Sequence, residues 1–108
     1  MKYKIIGIYH SGRKGTRYDE VTDYKYDGLI GSIIDTDKPI EDYKEFEEIY
    51  WNFISSDSLY ACWHTSAVIG SGINSFGDYV IETINSIYVL EKVNGQQNKR
   101  NQDEADRG

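Results

Sequence analysis

Cysteine is nearly absent from this 108-residue chain, which holds only Cys62. A single thiol cannot close an intrachain disulfide or build a cysteine-based zinc site. It fits a reducing compartment. Long apolar runs are missing as well: nothing approaches the roughly 18 residues of a membrane span. The N-terminal stretch carries Lys2 and Lys4 but no extended apolar core and no small-residue cleavage site. No signal peptide is read there, and a cytoplasmic protein without membrane attachment is expected. The chain has no internal repeat, no Gly-x-x-x-x-Gly-Lys-Ser/Thr phosphate loop and no EF-hand spacing. We therefore expect no cofactor, no metal site and no catalytic set.

Hydrophobic content is 39%, low for a globular chain, but ten tyrosines, two tryptophans and three phenylalanines add core volume. The length suits one domain that can bury a core without staples. Residues 79–93 form the longest β-favouring run. Alternation along a single strand would place Tyr79, Ile81 and Ile87 on one face and Val80, Ile84, Tyr88 and Leu90 on the other. Apolar groups on both sides predict a central strand with neighbours on each flank.

The remaining elements are short. Residues 2–9 read as a first strand, with Tyr3 and Ile5 opposite Ile6 and Ile8 and with Gly7 marking a bulge. Residues 17–25 read as a short polar strand, and 29–34 as a compact apolar one. Residues 40–54 fit two readings. Tyr43, Phe46, Ile49, Tyr50 and Phe53 have helical spacing, with Asp37 in place to cap a helix and Pro39 in its first turn. The string 48–54 is equally β-favouring. We expect a strand over 49–54 behind a short helical turn or loop at 40–47. A hairpin-like turn at 55–58 leads to a strand at 59–69, and a flexible connection spans 70–78. The fold expected is all-β: a five- to six-stranded barrel or roll, SH3-like, over residues 1–93. Residues 94–108 are polar and free of aromatics, and read as a disordered tail.

Two strings, Thr65-Ser66-Ala67-Val68 and Thr83-Ile84-Asn85-Ser86-Ile87-Tyr88, resemble a pattern found in small uncharacterised bacterial and mobile-element β proteins. The resemblance covers about a third of the chain. It implies a compact β domain, bacterial or phage-borne, with no assigned activity. Read on their own, these short polar groups inside apolar strands need hydrogen-bond partners, and tie strands together or hold a bulge at Asn85-Ser86.

Charge carries the functional reading. Net charge is −6. Lys2, Lys4, Arg13, Lys14 and Arg17 fall in residues 1–18 without an acid, whereas residues 19–48 hold eleven acids against Lys25, Lys38 and Lys44. The acidic segment repels a phosphate backbone, which disfavours nucleic acid as a partner. A solvated face is the bland explanation; a surface for a basic partner is the sharper one. We expect a non-enzymatic protein-binding domain using Asp35, Asp37, Glu41, Asp42, Glu45, Tyr50 and Trp51. The alternative is an anion or nucleic-acid site on the glycine-punctuated loop, through Arg13, Lys14 and Arg17. Cys62 and His64 share a strand face, but proximity alone supplies no orienting group or oxyanion site. Asp35 and Asp37 fit turn chemistry, as does Asp27. Trp51, Phe53, Tyr60 and Trp63 suggest an aromatic cluster across the hairpin, with core packing as its plain role.

Overall fold

Residues 79–93 are not one strand. In the computed structural model, which describes residues 1–11, 18–21 and 26–93, they form a tight hairpin. The six strands are β1 (Lys2–His10), β2 (Ile33–Thr36), β3 (Glu48–Ser55), β4 (Cys62–Ile73), β5 (Tyr79–Thr83) and β6 (Ser86–Lys92). They close an antiparallel barrel in sequence order, with β6 pairing back onto β1. The expected all-β barrel is what the chain adopts.

The β5–β6 turn explains the two-sided pattern. Ile81 and Thr83 face inward on β5, and Ser86, Tyr88 and Leu90 join them on β6, where Ile87 on the other face is buried too. Two turn residues separate the strands, so the inward parity switches from odd to even. No Gly or Pro marks the turn. Thr83 instead holds it by side chain: its Oγ1 donates to the Ser86 carbonyl at 2.9 Å and accepts from the Ser86 amide at 3.2 Å. The bulge expected at Asn85-Ser86 is this turn. Ser66 Oγ accepts from the Asn85 amide at 3.1 Å, tying the turn to β4.

Gly7 does sit at a register shift, between the Ile5–Leu90 and Gly7–Val89 pairs. The extra residue moves Ile8 to the inside with Tyr3 and Ile5, and leaves Ile6 facing out. A Cβ on Gly7 would stand 2.7 Å from Tyr9 Cε2.

The 29–34 strand is displaced. Residues 29–32 turn, because Gly28 and Gly31 take φ of 79° and 93°, and only Ile33–Thr36 is extended. Leu29 still reaches the core. Gly28 lies so close to the β3–β4 turn that a Cβ there would meet the Ser58 amide nitrogen at 2.6 Å. Its carbonyl accepts from Ser32 Oγ at 2.9 Å, and Ser32 Oγ meets Ser56 Oγ at 2.7 Å.

Between β2 and β3 the chain makes a short 3-10 turn, Ile40–Asp42. It begins after Pro39, and no side chain caps it, so Asp37 does not serve as a helix cap. Ile40 and Tyr43 bury themselves here, and the Tyr3 hydroxyl accepts the Ile40 amide at 2.9 Å. The strand expected at 59–69 begins later and runs further, Cys62–Ile73, so residues 70–73 of the expected flexible connection are strand. An Asx turn closes it: Asn74 Oδ1 accepts the amides of Phe76 and Asp78.

The described part of the polar segment, residues 18–21, lies along β1. His10 N–H donates to the Asp19 carbonyl at 2.8 Å and Val21 N–H to that of Ile8 at 3.3 Å. Residue 17, residues 22–25 with Asp23, and the tail 94–108 lie outside the described residues.

Inside the barrel Trp51 meets Tyr88 edge-on, 5.4 Å between ring centroids. Trp63 donates to the Tyr88 hydroxyl at 3.1 Å and packs against Tyr26 and Tyr60. Tyr26 OH lies 3.0 Å from Ser86 Oγ. Burial pushes the Tyr88 phenol pKa far up, with its bond from Trp63 opposing more weakly. No helix among the described residues is long and apolar enough to cross a membrane.

Candidate partner-binding surface

The outer face of β2, β3 and β4 gathers the polar chemistry of the molecule. Antiparallel register aligns Asp35 with Asn52 and Asn52 with Cys62 in one row. The next outward pair is Tyr50 opposite His64. Their rings stack, 4.2 Å between centroids and 8° between planes. A bulge between Glu48 and Tyr50 slides the edge of β3, and Glu48 Oε1 approaches His64 Nε2 at 2.7 Å. The imidazole is thus held from two directions on a rigid sheet, while Tyr50 keeps 57% of its surface exposed.

Beside this stack lies a groove of about 210 Å³ bordered by Asp35, Asp37, Tyr50, Asn52 and Cys62, where β3 and β4 also carry Trp51 and Trp63. Asp35 also takes an ion pair from the Met1 ammonium at 3.0 Å. Three of the expected partner-binding residues, Asp35, Asp37 and Tyr50, are therefore brought together.

The others are not. Trp51 is a correction: at 2% exposure it belongs to the core and offers a partner no ring surface. On a strand its neighbours Tyr50 and Asn52 point out, so it must point in. The expected cross-hairpin cluster is likewise split: Trp51 packs on Tyr88, and Trp63 on Tyr26 and Tyr60. Glu41 and Asp42 are exposed on the 3-10 turn, which rests against β5 rather than on this face. Glu45 is exposed in the turn before β3. Arg13, Lys14 and Arg17 lie outside the described residues.

Acids of the middle segment divide into two sets. Glu47 receives Lys38 Nζ on both oxygens at 3.1 Å. Its carboxyl is held below the usual range, first by the Lys44 amide and then by Lys38. Among the described residues Asp37, Glu41, Asp42 and Glu45 form no ion pair. Of this unpaired set only Asp37 lines the groove beside Tyr50.

His64 and Glu48 were absent from the expected surface. The hairpin turn at 55–58 held the missing signal. A hairpin centred on Asp57 sets residue 50 opposite 64, as the observed register does. The Glu48 contact depends on the bulge, which no residue type announces. Cys62 is exposed on the same side as His64, but among the described residues no hydrogen bond joins them. Nor do three or more His, Cys, Asp or Glu side chains among them converge as a metal site would require.

No protein-family model matches this chain, and neither the curated proteins nor the solved structures searched include a match to it.

Proposed function

We propose that the chain is a non-enzymatic, cytoplasmic binding module that docks a basic protein surface on the outer face of β2, β3 and β4. The observation that carries this reading is the Tyr50–His64 stack, fixed by Glu48 and left half-exposed beside Asp35 and Asp37. A ring already immobilised on a sheet loses little freedom when a partner covers it, and tyrosine is among the residues that dominate interface energies. The carboxylates around it supply complementarity to Lys and Arg, and speed encounter at low salt. The resemblance to mobile-element proteins extends the reading to a basic surface on a host protein.

The test is affinity capture with the full chain, followed by titration of the purified partner. Tyr50→Ala should weaken binding by about 2 kcal/mol, as for an interface anchor. Asp35→Asn with Asp37→Asn should slow association and flatten its salt dependence. A partner that binds the Tyr50→Ala chain as tightly as the parent, or that ignores ionic strength, removes the proposal.

A further inference from the structure

β4 serves two neighbours in succession. Its first half pairs with β3 as far as the Glu48–Ala67 pair, and Val68 exchanges backbone bonds with Phe46 and Glu47. From Gly70 onward it pairs with β5 alone. Among the described residues no backbone group pairs with the opposite edge of residues 69–73. The Asn74 amide donates to the Asp78 carbonyl at the hairpin end. Antiparallel alternation then turns the N–H and C=O of Gly70 and Gly72 toward β5, and those of Ser71 and Ile73 toward the open edge.

Three properties distinguish this edge. It lacks the Lys, Pro or inward charge that normally blunts an exposed strand: residues 58–77 contain no Asp, Glu, Lys or Arg in a chain of net charge −6. Gly70 borders the register shift between Val68 and Gly70, but Gly72 lies in regular pairing and nothing in the fold demands it. A Cβ at either would meet nothing within 4 Å, and neither has a positive φ. Glycine inside a strand, away from a bulge or bend, leaves room for another backbone to approach closely. Finally, the sequence Ile69-Gly70-Ser71-Gly72-Ile73 reads the same in both directions.

We propose that a second copy of this chain pairs antiparallel along this edge, about a two-fold axis through Ser71. Such an axis sets Ser71 opposite its own copy, Gly70 opposite Gly72 and Ile69 opposite Ile73. An isologous interface requires this self-complementarity. The outward groups of Ser71 and Ile73 find partners, and the exposed Ile69 and Ile73, 43% and 65% accessible, become cross-strand apolar pairs. Two acidic molecules meet where neither carries formal charge. This pairing is independent of the Tyr50 face.

Sedimentation equilibrium of the full chain, from about 1 µM to 1 mM, should show a monomer–dimer equilibrium. Ser71→Pro removes an outward donor at an edge that tolerates proline and should weaken dimerisation by about tenfold or more. Ile73→Lys tests the same contact by charge, should the proline variant fail to fold. In a Cys62→Ser background, Ser71→Cys should form an intermolecular disulfide under mild oxidation, because residues paired across strands lie within disulfide reach. Ile69→Cys, opposite Ile73 rather than its own copy, should not. A chain that stays monomeric with no Ser71→Cys crosslink overturns the proposal. So does a dimer untouched by either edge variant, or monomers whose edge takes up only unrelated extended peptides.

Discussion

The indole of Trp63 on β4 donates to the hydroxyl of Tyr88 on β6 at 3.1 Å, reaching past β5 rather than along the sheet. Tyr88→Phe keeps the ring and removes the acceptor. The half-buried N–H is then left unmatched, at a cost of about 1–2 kcal/mol. A urea midpoint that falls with an unchanged slope is the expected result. An unchanged midpoint means the bond contributes nothing net.

Alkaline pH should destabilise the barrel. Burial raises the phenol pKa values of Tyr3, Tyr43 and Tyr88 above the ordinary 10.0. Below that value folded and unfolded chains both hold these protons, and the stability is fully present. Above it the unfolded chain releases them first, so stability is lost as pH climbs toward the raised folded values. Melting temperature against pH should fall beyond about pH 10, and less steeply in Tyr88→Phe.

Gly28→Ala and Gly31→Ala should differ sharply. Both glycines have positive φ, but only at Gly28 would the new Cβ run into backbone, that of Asp57 and Ser58. We expect about 1–2 kcal/mol for Gly31→Ala from backbone conformation alone, and on the order of 3–4 kcal/mol for Gly28→Ala, where the chain must move. Denaturant titration of the pair measures the difference, and equal losses would mean the β3–β4 turn yields freely.

His64→Ala should leave stability within about 0.5 kcal/mol, as for an exposed position, yet release the Tyr50 ring. Partner binding should weaken together with Tyr50→Ala rather than additively, because the two residues act as one surface. Additive losses in the double variant would show that the stack does not organise recognition.

Much of the barrel was legible in short alternating strings: Tyr3 and Ile5 share the inner face of β1, and residues 49–54 are extended within β3. What escaped was the β5–β6 turn. A turn written Ile84-Asn85, without glycine, gives no local sign, and its parity switch, added to the burial of both Ile87 and Tyr88 on β6, reads as one long strand buried on two sides. The β2 boundary escaped because Gly31 was read inside a strand, whereas its positive φ bends the chain there. On the candidate surface, Asp35, Asp37 and Tyr50 were found through charge and aromaticity. Trp51 was misplaced because residue type was weighed before the alternation that forces it inward. Glu48 was missed because its partner depends on a bulge.

The seam that completes the barrel joins its first strand to its last, from Tyr3 against Lys92 to His10 against Ser86. During synthesis β1 emerges first and must wait for almost every other strand before its β6 neighbour exists. Contacts so distant along the chain make closure slow. A nascent chain stalled before residue 86 would carry the whole β1–β6 seam open, the condition in which it most needs a chaperone.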